Sequence, residues 1–212
     1  MAALDMQEQE QIELLKAWWK DNGKYLIAVV VIALLGFAGM QLWKNYQAQQ
    51  SADAAKLFGE VVKQSFSNDP KRINDAADAV ADRFGGTGYA ARAQLMAAQA
   101  NLQAKDNARA KTQLRWVIEH SSEAGLQDAA RLKLASVLLD EKAFDDALKL
   151  LDAAHPEAFT GLYADLKGDV LSAQGKNTEA LAAYQMALDK IDPKSNYRNL
   201  IQLKLDGLKG AK

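Results

Sequence analysis

The chain has 212 residues, with 26 lysines and arginines against 27 aspartates and glutamates, a formal net charge of −1. That balance lacks the basic excess that drives nucleic-acid binding, so no nucleic-acid partner is expected. With no cysteine and only two histidines, there is no disulfide framework and almost nothing from which to build a thiol or metal site.

Residues 7–20, QEQEQIELLKAWWK, repeat apolar side chains at Ile12, Leu15, Trp18 and Trp19, the spacing of one helix face. The pattern predicts an amphipathic helix lying on a membrane surface, with Trp18 and Trp19 in the headgroup layer. A simple extension of the following apolar segment into the cytoplasm is the alternative. Asp21-Asn22-Gly23 is expected to break the helix, because Asn-Gly favours turn geometry.

From Tyr25 to Trp43 nineteen residues carry no charge, and Gln41 is the only strongly polar side chain. At ~1.5 Å per residue this helix would cover roughly 28 Å, close to the ~30 Å of a bilayer's hydrocarbon core. Tyr25 and Trp43 stand at the ends, where amphipathic rings favour the membrane interface. A cleavable signal peptide has a shorter apolar core and no long acidic leader, whereas Asp5, Glu8, Glu10, Glu13 and Asp21 all precede this stretch. The reading is a retained single transmembrane helix at 25–43, between a head at 1–24 and a body at 44–212. Lys16, Lys20 and Lys24 lie just before it and only Lys44 just after. Basic residues stay cytoplasmic, so the amino terminus is expected in the cytoplasm and the body across the membrane, in the periplasm of a bacterium.

The body is rich in alanine, leucine, glutamine, lysine and aspartate, and the chain has three prolines, so it is expected to be almost wholly α-helical. Residues 46–67 place Ala55, Phe58, Val61, Val62 and Phe66 on one face, continuing the membrane helix. Asp69-Pro70 reads as an N-cap and first-turn proline. It opens a helix with Ile73, Ala76, Ala77, Val80 and Phe84 inward, ended by the loop FGGTGY at 84–89. This pair is read as a divergent first hairpin capping one end of a stack.

Three pairs of small residues twelve apart follow: Ala98 with Ala110, Ala135 with Ala147, and Gly168 with Ala180. Their near-34-residue recurrence is the period of tetratricopeptide repeats. The copies run at about 91–127, 128–160 and 161–193, with AKDNA, EKAFD and QGKNT as the turns between paired helices. In the last copy Gly168 allows close helix approach, Tyr184 and Ala187 pack next along the second helix, and Pro193 terminates it. The copy from 128 adds Leu138, Leu151 and Ala154. A final helix near 196–209, with Tyr197, Leu200, Ile201, Leu203, Leu205 and Leu208, covers the other end, since repeat stacks need capping. The fold class is therefore all-α: one amino-terminal transmembrane helix, then an α-solenoid of tetratricopeptide-like hairpins.

No catalytic or cofactor constellation stands out. His120 and His155 are read as residues at helix C-termini, and Gly85-Gly86-Thr87-Gly88 has neither a strand before it nor a lysine after it. Asp145, Asp146 and Glu179 sit at helix starts, where the dipole favours them. An enzyme is not expected, and binding remains. Resemblance to tetratricopeptide repeats puts first-helix positions on a concave groove: Arg92, Leu95, Gln99, Leu102 and Gln103; Ala129, Leu132, Ser136, Leu139 and Asp140; Leu162, Asp165, Asp169 and Ser172. Such a groove suits extended, partly apolar segments or a helix of a partner, although about half its leucines are expected to pack between repeats.

EQIELLKAWWKDNGKYLI in the head, TGYAARAQLMAAQA, LRWVIEHS, and GDVLSAQGKNTEALAAYQMAL in the body together resemble the YfgM family over essentially the whole chain. The resemblance implies an ancillary subunit of the bacterial Sec translocon, single-pass in the inner membrane, with a cytoplasmic amino terminus and a periplasmic repeat domain. It implies partnership with translocon subunits and with the membrane-anchored chaperone PpiD, and help in handing newly exported proteins to periplasmic chaperones. A membrane-anchored regulator that sequesters a signalling protein, or a scaffold for an envelope complex, are the alternatives. The family has no catalytic residues to carry over and no residue-level binding motif to match, and no cofactor is expected.

Overall fold

The computed structural model describes residues 2–67 and 69–210, the side chains of residues 2–7 and 9 lying outside that description. Among the described residues there is no strand, and the helices follow in order: α1 (Ala2–Ser65), α2 (Pro70–Phe84), α3 (Gly88–Gln103), α4 (Asn107–His120), α5 (Ala124–Asp140), α6 (Phe144–Leu151), α7 (Thr160–Ala173), α8 (Asn177–Lys190) and α9 (Tyr197–Gly210). A single 3-10 turn, Glu157–Phe159, leads into α7. Two compact units emerge, residues 1–49 and 50–212.

Among its described residues the first unit is helix alone. Its apolar stretch is wholly unburied, and α1 is long and apolar enough to cross a membrane. The break expected at Asp21-Asn22-Gly23 does not occur, for α1 runs through it. Propagation within an existing helix is favourable enough to absorb the ~1 kcal/mol cost of one glycine. Two local contacts help. The Asn22 side-chain amide donates to the Trp18 carbonyl at 3.2 Å, and Gly23 leaves room for the Trp19 ring, whose Cε2 would lie 3.1 Å from an added Cβ.

In the second unit, local chemistry sets the helix ends. Asp69 accepts a hydrogen bond from the Lys71 backbone N–H at 3.0 Å, with Pro70 opening α2, as the sequence predicts. Asp106 caps α4 in the same way through the Arg109 N–H. The three hairpin turns share one geometry: Lys105, Lys142 and Gly175 have φ of 64°, 60° and 77°. In each, the next residue's N–H reaches back to close the first helix: Asp106 to Asn101 O, Ala143 to Leu138 O, and Lys176 to Leu171 O, at 2.8, 2.8 and 2.9 Å. These are left-handed C-terminal caps of the Schellman type.

Each helix from α2 onward packs on the next, and α3, α5 and α7 also touch in succession, which makes them one row of the stack. The small-residue pairs lie where the hairpins close. Ala98, Ala110, Ala135, Ala147 and Ala180 have no exposed surface, and Gly168 is buried. A Cβ at Gly168 would sit 2.5 Å from Tyr184 Cδ1, so glycine here admits the ring of the facing helix. Apolar burial at such joints is the main favourable term in the stack. Val61, Ile73, Ala77, Val80 and Ala90 form the core at one end, and Ile201 and Leu205 of α9 join Tyr184, Ala187 and Leu188 at the other.

Several expectations are corrected. Phe66 is not on the buried face: α1 ends at Ser65, and Phe66, in the turn beyond, is 83% exposed. The loop 84–89 shortens to 85–87, because Gly88 and Tyr89 begin α3 with Thr87 before them. α6 stops at Leu151, so Ala154 and His155 lie in the connection to α7. His155 stacks on Tyr163 at 4.1 Å instead of ending a helix. His120 does end α4, its Nδ1 2.9 Å from the Trp116 carbonyl oxygen. In α9, Leu200 and Leu203 face outward.

Candidate partner-binding surface

The predicted groove positions fall on α3, α5 and α7. Leu95, Leu102, Leu132 and Leu139 are half-buried against the central core and serve inter-repeat packing as well as the surface. Gln99, Gln103, Ser136 and Asp140 are exposed, and Ala129, Leu162 and Ser172 are half-buried. Gln99 is tied to the next repeat, its Oε1 accepting from Lys133 Nζ at 2.9 Å.

Arg92 is exposed yet engaged. Its Nη1 and Nη2 donate to the two Glu123 carboxylate oxygens, each at 2.8 Å, and Nη1 also donates to the Gly88 carbonyl at 2.9 Å. Gly88 makes the clamp possible, since a Cβ there would lie 2.0 Å from Glu123 Oε1. The hydrogen bond from Arg92 holds the Glu123 carboxyl below its ordinary range, and the same bond raises the guanidinium. The sequence gives no cue to this pair beyond its near-repeat spacing.

Asp165 does not line an open groove. It is 2% exposed and closed off by α9: Tyr197 Oη donates to its Oδ2 at 2.6 Å and Lys204 Nζ donates to both of its oxygens at 2.9 Å. Lys204 also donates to Asp169 at 2.8 Å, and Asp169 accepts from Tyr184 Oη at 2.9 Å. Asp165 and Asp169 therefore dock the terminal helix. Burial, then the neighbouring carboxylates, push the Tyr184 and Tyr197 phenols up. Burial alone would lower Lys204, but hydrogen bonds to Asp169 and Asp165 outweigh it and hold the ammonium above its usual range. Tyr163 makes the parallel contact one repeat earlier, donating to buried Asp128 at 2.8 Å. The 34-residue spacing of Tyr163 and Tyr197 was the available signal that α9 continues the row of first helices.

A further buried polar cluster was not anticipated. Asn74, Asn101 and Gln113 form a triad of carboxamides joining α2, α3 and α4 at 2.7–3.0 Å. Being mutually satisfied, they avoid the cost of buried unpaired amides.

In the first unit, Trp18, Trp19, Tyr25 and Trp43 are all exposed. Lys24 Nζ lies 5.0 Å from the Tyr25 ring centroid at one end of the apolar stretch, and Trp43 and Tyr46 approach at 6.1 Å at the other. Rings with a polar or charged neighbour suit the boundary of a bilayer. Among the described residues, no group of three or more histidine, aspartate or glutamate side chains is placed to hold a metal ion.

The tetratricopeptide repeat-like domain family matches residues 16–210. A Neisseria gonorrhoeae protein named ancillary SecYEG translocon subunit is 35% identical over 98% of this chain and 100% of its own length. Proteins of the same name from Aggregatibacter actinomycetemcomitans and Escherichia coli are each 28% identical, over 97% and 95% of this chain and 100% and 96% of theirs. The chain belongs to the tetratricopeptide repeat-like family of ancillary SecYEG translocon subunits, the YfgM family that its head and repeats resemble.

Proposed function

We propose that this chain is a SecYEG-associated adaptor of the bacterial inner membrane, anchored by Tyr25–Trp43, with residues 1–24 cytoplasmic and residues 44–212 periplasmic. One observation carries the reading. The match to a protein named as a translocon subunit covers 98% of this chain, so anchor and repeats are shared together rather than as a common repeat alone. Three lysines before the apolar stretch against one after it support the orientation. In that arrangement the row of α3, α5 and α7 meets a periplasmic chaperone such as PpiD, or the exported polypeptide itself, and passes clients from one to the other. Gln99, Gln103, Ser136 and Asp140 supply the accessible polar contacts, with Leu132 and Leu139 between them.

Isolated in mild detergent, the tagged full chain should bring SecYEG and PpiD with it in stoichiometric amounts. Photocrosslinkers at Gln99, Ser136 and Leu162 that capture neither a chaperone, a translocon subunit nor an exported chain would sink the adaptor role. Orientation has its own test, because the chain has no cysteine. Ser136→Cys should react with a membrane-impermeant maleimide in intact spheroplasts and Glu8→Cys should not; the reverse pattern overturns the topology.

A further inference from the structure

Exposed apolar side chains gather at one end of the second unit. Among its described residues five large ones are exposed, and four of them, Met186, Tyr197, Leu200 and Leu203, lie in α8 and α9. α9 docks on the stack through Ile201 and Leu205. Leu200 and Leu203, 45% and 69% exposed, face away from that joint. They begin a second stripe that Gly207 and Gly210 continue, each one helical turn from the last. Both glycines are open, since a Cβ added at either would meet nothing within 4 Å. No helix follows α9 among the described residues. We infer that α9 pairs antiparallel with α9 of a second copy of this chain, each setting its Leu200 and Leu203 against Gly207 and Gly210 of the other.

The order of sizes along the stripe selects that occupant. It is large at the start of α9 and small at the end, so the surface that fits it is a helix with the same gradient running in reverse. α9 turned about a two-fold axis is such a helix, and the symmetry makes every contact twice. A glycine inside a helix weakens it; here the missing side chain leaves the gap that a leucine of the second copy fills. A two-fold contact also brings a residue near its own counterpart, so a charge on the stripe would meet its like. The four positions carry none, although a quarter of the chain is charged. A lipid surface is fluid and gains nothing from the gradient. The rest of the exposed face shows Asn199, Gln202, Asp206 and Lys209, not the lysine-rich face of a helix that lies on a membrane. One helix pair buries less than the roughly 800 Å² per partner of a standing interface, so the contact is a weak and reversible one. Two copies held in one membrane raise each other's effective concentration. The inference goes beyond the adaptor reading and uses only its anchor, for that last gain.

The chain has no cysteine, so introduced cysteines report the contact in the full chain in its own membranes. Two differently tagged copies, one Leu203→Cys and the other Gly207→Cys, should form a mixed disulfide on mild oxidation. The yield should be several-fold above that of Gln202→Cys with Lys209→Cys, a pair on the polar face of the same helix. Gly207→Gln separates pairing from folding. The fold has room for the side chain and glutamine is the better helix former, so the denaturation midpoint should hold or rise. Energy transfer between donor- and acceptor-labelled copies in liposomes of phosphatidylethanolamine and phosphatidylglycerol should instead fall several-fold. Leu203→Asp should lower it as far while keeping the circular dichroism of the parent, because Leu203 is mostly exposed. Absence of the mixed disulfide, an equal yield from the polar-face pair, or energy transfer unchanged in both variants would each overturn the inference. So would benzoylphenylalanine at Leu200 that captures lipid or another protein and never a second copy. SecYEG is co-isolated from the same membranes. Failed pairing with SecYEG retained sinks this contact alone, while pairing without SecYEG sinks the adaptor reading and leaves the contact standing.

Discussion

The α5–α6 hairpin and the joint that docks α9 hold the same stack together by opposite means. Within that hairpin, fully buried small residues, Ala135 and Ala147, meet with little polar chemistry. At the carboxy-terminal joint, Asp165, Asp169, Tyr184, Tyr197 and Lys204 interlock around two apolar anchors, Ile201 and Leu205. The first kind of joint is non-directional and is set by size. The second is directional and depends on every partner being present, because a buried charge that loses its mate is costly. A terminal helix with one apolar flank gains specificity of placement from such a network.

The largest expected effect breaks the polar joint. Asp165→Ala leaves the Tyr197 hydroxyl without its acceptor and Lys204 with Asp169 alone. It should lower stability by about 3 kcal/mol, with hydrogen exchange in α9 rising far more than in α5; uniform exchange across the stack would refute a local role. Alkali probes the same joint. Tyr184, Tyr197 and Lys204 are all raised in the fold, so their stabilisation is complete below their unfolded values of about 10 and is lost as pH rises above that. Thermal melts should fall from about pH 10 upward, and Tyr197→Phe should flatten that slope.

The size-set joint is broken at Gly168. Adding one methyl places it 2.5 Å from the Tyr184 ring, so Gly168→Ala should cost about 2 kcal/mol despite alanine's better helix propensity. Chemical denaturation reads this directly, and an unchanged midpoint would mean that the hairpin relaxes freely. A smaller effect sharpens the comparison at the turns. Lysine at φ 60° is strained where its counterpart Gly175 is not, so Lys142→Gly should raise stability by up to about 1 kcal/mol. The smallest change is Arg92→Ala. Its bidentate pair with Glu123 is exposed on both sides, so the loss should stay under about 1 kcal/mol and shrink in high salt.

Much of this architecture is legible in the chain because it is local. The uncharged run from Tyr25 to Trp43 needs no partner to be recognised, and the Asp69-Pro70 start and the AKDNA, EKAFD and QGKNT turns are encoded within a few residues. The groove was only half legible. Period places Leu132 and Asp165 on the same kind of helix face, but only the packing tells that Leu132 leans on the central core while α9 covers Asp165. Gly88 was misread for a similar reason. The sequence reading placed it in the loop 84–89, whereas it opens α3, and its use in admitting Glu123 beside Arg92 depends on a residue 35 positions away.

Hydropathy and periodicity alone determined the long apolar helix, the helical class and the repeat phase, since each follows from a residue's own solvent preference and its near neighbours. Only the tertiary structure decided that Leu132 leans on the central core and that two candidate groove carboxylates instead lock a terminal helix. Those outcomes turn on packing and on polar pairings across one repeat or more, where burial fixes the strength of a contact and the linear pattern records only the residue type.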